Sequence, residues 1–190
     1  EPCQVSRVKR SRNPHVQRTR GFKTMISVLD VIHDTMVDGP GFRTTIYCAG
    51  CPNACKGCHN PQSWDINNGE PRSTQSLLDE IMSDPFANVT FSGGDPMFQP
   101  EGFLELAKAI KESSEKTIWC YTGFLYENLL KNKAQRALLD YVDVLVDGPF
   151  VEKLRDEDLI FRGSANQRLI DVPRSLKSQK VVLLDYSPFP

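Results

Sequence analysis

Four apolar, β-branched runs in this chain each end in a short loop rich in glycine, proline and chemically able side chains, and that repetition narrows the choice of fold most. The run 42–48 leads into a cysteine loop, 87–92 into Ser92-Gly93-Gly94-Asp95-Pro96, 117–121 into Tyr121-Thr122-Gly123, and 142–146 into Asp147-Gly148-Pro149-Phe150. Two more runs, 26–32 and 180–184, have the same strand character. Helical patterns lie between them. Ser73 can cap a helix with Leu77, Leu78, Ile81 and Met82 on one face, and Pro100 can open a second carrying Phe103, Leu104, Ala107 and Ile110. A third helical region covers 124–140, with a break near Asn132. Strands alternating with helices predict an α/β fold, a parallel sheet with helices packed on it, either open or a partial barrel. Ligands in such folds gather at the C-terminal ends of the strands, so the four loops are expected to converge on one mouth.

The size of the chain fits a single core. Its 190 residues, 39% apolar and 25% charged, predict one globular domain with at most an appended tail, and exclude a chain disordered throughout or built on collagen-like repeats. No apolar run reaches the roughly 18–20 residues of a membrane helix, and the first residues lack the apolar stretch of a secretory signal, so a cytoplasmic protein with no membrane partner is expected. The net charge of −1 is unevenly spread: residues 1–24 carry seven Lys and Arg against Glu1, a net of +6, which leaves −7 for residues 25–190. Without apolar periodicity, residues 1–24 read as a basic flexible tail or extension ahead of the patterned domain 25–190. Phe22 alone could stack on a base, and no recognition helix is visible, so nucleic acid is not the expected partner.

Cys48, Cys51, Cys55 and Cys58 share one eleven-residue window, with Cys3 and Cys120 far away. Such clustering points to metal or redox chemistry rather than to a disulfide framework. Cys51, Cys55 and Cys58 have the spacing C-x3-C-x2-C, and three thiolates on so short a loop can hold three corners of a 4Fe-4S cubane while leaving one iron open for chemistry. The same window read from Cys48 is C-x2-C-x3-C-x2-C, which could close a four-thiolate zinc shell in a metal-stabilised binding module. Two features weigh against zinc. Four ligands in eleven residues leave little room for paired knuckles, and Cys48 alternates with Ile46 on the strand face opposite Thr45 and Tyr47, as a small buried residue would.

Gly39-Pro40-Gly41-Phe42-Arg43, the three-cysteine loop ending in Cys58-His59-Asn60, and Ser92-Gly93-Gly94-Asp95-Pro96 together resemble the radical S-adenosylmethionine (SAM) activating enzymes of glycyl-radical enzymes. Within that family, Trp119-Cys120-Tyr121-Thr122-Gly123, the segment Val144 to Phe150 and the segment Phe161 to Arg168 are similar to the branch that acts on anaerobic ribonucleoside-triphosphate reductase. The resemblance spans residues 25–172. It implies a small partial (β/α) barrel of the radical SAM type, a 4Fe-4S cluster on Cys51, Cys55 and Cys58, and SAM lying against Gly57, Cys58, His59, Gly93 and Gly94. Asp95 would add charge there or cap the segment that follows, and Tyr121 and Thr122 could reach the methionyl or ribose groups.

The implied reaction is a one-electron cleavage of SAM to methionine and a 5'-deoxyadenosyl radical, which removes a hydrogen atom from a glycine Cα of the reductase. No catalytic side chain is expected beyond the cluster and SAM, because the cofactors carry the chemistry. The implied electron donor is a flavodoxin or similar carrier. Activation of another glycyl-radical enzyme, such as pyruvate formate-lyase, and a radical SAM reaction on a small molecule are the alternatives. Many radical SAM enzymes place an aromatic residue just before the third cysteine; Gly57 stands there in this chain, which leaves His59 as the nearest candidate for stacking on adenine. Gly39-Pro40-Gly41 with Arg43 reads either as a turn or as part of a contact with the partner's glycine segment. The stretch from Arg162 to Arg168 reads either as a solvated loop or as a partner contact. Cys120, His15, His33 and Cys3 are expected to be structural.

Overall fold

The computed structural model describes residues 24–186; the predicted basic tail, with Cys3 and His15, therefore lies outside the described residues but for Thr24. Seven strands form one mixed sheet: β1 (Met25–Thr35), β2 (Arg43–Cys48), β3 (Glu70–Ser73), β4 (Asn88–Gly93), β5 (Ile118–Tyr121), β6 (Val144–Asp147) and β7 (Arg168–Asp171), in the spatial order β3-β1-β2-β4-β5-β6-β7. The central strands β2, β4, β5 and β6 are parallel, with Thr45 beside Thr90, Phe91 beside Cys120 and Cys120 beside Leu145. Parallel neighbours need crossovers. Helices α1 (Thr74–Ser83), α2 (Pro100–Ser113) and the pair α3 (Tyr126–Leu129) and α4 (Lys133–Leu139) lie on them, and α5 (Val172–Ser178) follows β7.

The predicted helix signals act as expected. Ser73 Oγ accepts the amide of Ser76 at 3.1 Å, Pro100 begins α2, and the Asn132 side chain accepts the amides of Ala134 and Gln135, which stops α3 and starts α4.

The parallel sheet predicted for the whole chain holds only for its centre. β1 runs antiparallel to β2 and to β3, and β7 runs antiparallel to β6. The strand expected at 180–184 is also corrected. It is a single bridge from Leu183 to Ile170, flanked by hydrogen bonds from Asp171 N to Val182 O and from Leu184 N to Leu169 O. Its apolar residues cover the sheet instead of extending it: Val181 packs on the main core and Leu184 on the opposite face.

The two faces of the sheet differ. Ile46, Cys48, Phe91, Cys120 and Leu145 point to one side, where Leu77 and Ile81 of α1, Phe103 and Ile110 of α2 and Leu138 of α4 close over them. Burial of these side chains, about 25 cal/mol per Å² of apolar surface, holds the helices to the sheet. Cys48 and Cys120 are fully buried within this core, as their strand positions predict. On the other side Trp119, Val144, Val146 and Leu169 meet Tyr121, Phe161, Leu184 and Tyr186, and no helix residue joins them among the described residues. Phe161 meets the edge of Trp119 at 5.3 Å and Tyr186 at 5.1 Å, and Arg43 lies over the Trp119 ring at 5.5 Å. No helix among the described residues is long and apolar enough to cross a membrane.

Candidate functional site

Because β2, β4, β5 and β6 point the same way, the loops that follow them meet at one sheet edge, and hydrogen bonds tie them together. Gly94 N donates to Cys48 O at 2.6 Å and Asp95 N to Gly50 O at 2.8 Å, joining the β4 loop to the cysteine loop. Thr122 N donates to Val146 O at 2.9 Å and Gly148 N to Phe124 O at 3.1 Å, joining the β5 and β6 loops. The expected mouth is present.

The start of the cysteine loop is clamped from both sides. Gly50 N donates to Ser63 O at 2.7 Å and Cys51 N to Trp64 O at 3.1 Å. The glycines of the β4 loop permit this closeness. A Cβ on Gly94 would stand 2.5 Å from Gly50 O and 2.9 Å from Ser63 O, and one on Gly93, whose φ is +101°, would overlap the Cys48 backbone. The need for glycine here thus comes from contact between protein backbones, a reason distinct from ligand approach.

Beyond the clamp, Cys51, Cys55 and Cys58 are each half-buried. Cys58 N donates to Cys55 O at 3.1 Å, Asn60 N points at Cys58 Sγ at 3.4 Å, and Asn53 Nδ2 points at Cys51 Sγ at 3.7 Å. Burial pushes the Cys51 thiol up, against the amide donors of Asn53 and Ala54, which favour thiolate. This donor set suits an iron-sulfur cluster: three thiols on one accessible loop, two of them already receiving the N–H donors that ligand sulfurs take. Cys48 is different. Enclosed in the core beside Ile46, its thiol is pushed well above its ordinary value by burial. Among the described residues no three of His, Cys, Asp and Glu gather around a single point as one metal ion would require.

Gly57, with φ +76°, faces the mouth, and the Glu152 carboxyl from the β6 loop occupies the space its side chain would fill: a Cβ there would lie 3.1 Å from Glu152 Cδ. Lys56 Nζ pairs with Glu152 Oε2 at 3.4 Å. His59 is exposed beside Cys58.

Asp95 is the hub. Fully buried, it accepts from Thr122 Oγ1 at 2.8 Å, Gly123 N at 2.9 Å, Met97 N at 3.0 Å and Asn53 Nδ2 at 3.1 Å. Of the two tasks expected of Asp95, the structure realises the capping one, at the 3₁₀ turn Pro96–Phe98, and adds a clasp across three loops. The Thr122 hydroxyl donates to that carboxylate and accepts from Phe124 N at 3.1 Å, so it too is engaged inside the protein. The Tyr121 hydroxyl is buried and has no hydrogen-bond partner among the described residues, and burial pushes its pKa up. Arg43 is buried as well: it donates to Val89 O at 2.6 Å, Thr90 Oγ1 at 2.7 Å and Pro40 O at 3.2 Å. The Gly39-Pro40-Gly41 segment bends around it. His33 meets Glu80 at 3.0 Å, away from the cysteine loop. Asn53 and Glu152 escaped the sequence reading, since an Asn in a turn and a Glu in a loop are ordinary there.

Burial raises the Asp95 pKa from 3.8 to about 6 against the pull of its four donors. The folded carboxyl therefore keeps its proton in a range where an unfolded aspartate has lost it. The folded state binds more protons between these values, so the stability this group contributes is full below pH 3.8 and falls as pH rises to about 6. Unfolding measured across that interval should show a slope of up to about 1.4 kcal/mol per pH unit that Asp95→Asn removes. Identical slopes in the two proteins would refute the assignment.

The 4Fe-4S single cluster domain family matches residues 37–170 of the chain. Over 141 residues the chain is 40% identical to the anaerobic ribonucleoside-triphosphate reductase-activating protein of Vibrio cholerae, a match covering 70% of this chain and 89% of that protein. It is 38% identical over 142 residues to the protein of that name from Escherichia coli K12, covering 70% and 90%, and 33% identical over 140 residues to that of Enterobacteria phage T4, covering 70% and 86%. Among solved structures, QueE from Escherichia coli aligns with 65% of this chain and 70% of its own at 14% identity, with a TM-score of 0.47.

Proposed function

The chain belongs to the family of anaerobic ribonucleoside-triphosphate reductase-activating proteins, and from that premise we propose that its mouth holds a 4Fe-4S cluster on Cys51, Cys55 and Cys58 and uses SAM to install a glycyl radical on the reductase. The observation that carries this reading is the arrangement of three half-buried cysteines, two with amide donors on their sulfurs, clamped against the Gly93-Gly94 turn at one sheet edge. When bound, the cluster supplies the electron that cleaves SAM, and the cleavage drives removal of a hydrogen atom from the partner's glycine. The rest is positioning by this chain.

Gly57, Cys58 and His59 on one side, and Gly93 and Gly94 on the other, offer backbone and an imidazole to SAM. Tyr121 lies at the end of β5, its hydroxyl free to take a hydrogen bond. Asp95 and Thr122 act behind these groups, holding the loops in register. The strands form the partial barrel of the radical SAM type in this reading, with residues 25–190 as the activase domain. In this reading the side of the sheet without helices is turned toward the partner. A flavodoxin-type carrier is the proposed electron donor, and the cytoplasm the proposed location.

The test is reconstitution with iron and sulfide under anaerobic conditions, followed by reduction and EPR with and without SAM. A reduced 4Fe-4S signal that changes shape with SAM is expected, then a glycyl radical when the reductase is added. A colourless protein holding one zinc would overturn the cluster, and radical formation on pyruvate formate-lyase but not on the reductase would overturn the partner.

A further inference from the structure

Asn53 joins a proposed cluster ligand to the buried hub of the mouth. Its Nδ2 lies 3.1 Å from Asp95 Oδ2 and 3.7 Å from Cys51 Sγ. An amide nitrogen has two hydrogens, so one donor group serves both acceptors. A carboxylate accepts only from the NH2 end of the amide, which fixes the orientation of Asn53. The anchor is rigid, since Asp95 is held in turn by Thr122, Gly123 and Met97. The fit is close as well: a Cβ on Gly123 would overlap the Asn53 amide. Among the described residues Cys51 is the one of the three cysteines whose sulfur receives a side-chain donor; Cys58 receives the backbone amide of Asn60.

Hydrogen bonds to ligand sulfurs stabilise the more negative, reduced form of a cluster and so raise its potential. We propose that Asn53 is a positioning residue that transmits the placement of Asp95 to Cys51, keeping that sulfur in register and making the cluster easier to reduce. The inference rests on the cluster ligation proposed above, and it assigns Asn53 a role in tuning that chemistry rather than in contacting SAM.

The experiment compares wild type, Asn53→Leu, which keeps the bulk and removes the donor, and Asn53→Ser, which is smaller and keeps a hydroxyl. Each is reconstituted, assayed for iron and sulfide, checked by far-UV circular dichroism and titrated by EPR against a series of reductants. Asn53→Leu should hold its iron yet show a reduced-to-oxidised ratio lower by up to about tenfold at a given potential, which is about 59 mV for a one-electron couple. Loss of iron with an unchanged dichroism spectrum would overturn the tuning of the potential, leaving Asn53 as a residue that only holds Cys51 for cluster assembly. Full iron and a wild-type titration in both variants would overturn it. So would loss of the fold in both, which would make Asn53 a residue of the fold alone. Wild type that takes up no cluster would defeat the ligation itself, a result seen before any variant is compared.

Discussion

Cys51→Ala, Cys55→Ala and Cys58→Ala should each lose the iron-sulfur absorption and fall to background in SAM cleavage, whereas Cys48→Ala should keep both. The reason is the difference in surroundings. The first three side chains stand half-buried on the mouth loop, and an iron-sulfur site with three protein ligands has none to spare. Cys48 fills a place in the core beside Ile46, with no exposed surface, so its replacement leaves a small void and costs about 1 kcal/mol. Iron content and denaturant unfolding of the four variants decide the matter. Metal loss in Cys48→Ala together with the other three would point to the four-thiolate site instead.

Asp95→Ala should be the most damaging substitution that touches no proposed ligand. It strands the amides of Met97 and Gly123, the Thr122 hydroxyl and the Asn53 amide, all of which point at a carboxylate sealed from water. A buried donor left unpaired costs about 1–3 kcal/mol, and the group together should cost about 3–5 kcal/mol, near the top of what single substitutions do. Asp95→Asn keeps one acceptor oxygen and should cost less. Both would loosen the tie between the cysteine loop and the β5 loop, so iron uptake should decline in the same order as stability. A stable Asp95→Ala protein with full iron would show that the clasp is dispensable.

The central strands were legible because their β-branched and apolar residues recur in short runs, and the loops after them carried glycine and proline. The outer strands were not. β3, Glu70–Ser73, contains no apolar residue and is a strand by virtue of its bonds to β1, with Pro71 tolerated at a sheet edge. β7 offers only Leu169 and Ile170 before the Asp171 cap and Pro173 begin α5. The run 180–184 misled for the opposite reason: its apolar residues pack against the sheet without joining it. At the site, the cysteines and the Gly93-Gly94 turn stand out in one dimension. The tie between Asn53 and Asp95 spans 42 positions and becomes visible only when β2 and β4 lie side by side.

The contact of Gly57 with Glu152 links the cysteine loop to the β6 loop at these two positions. The carboxyl from the β6 loop fills the volume that an aromatic ring before the third cysteine would need. A ring at position 57 would have to adopt the left-handed backbone of Gly57, φ +76°, and would turn the Glu152 side chain aside, opening its ion pair to Lys56.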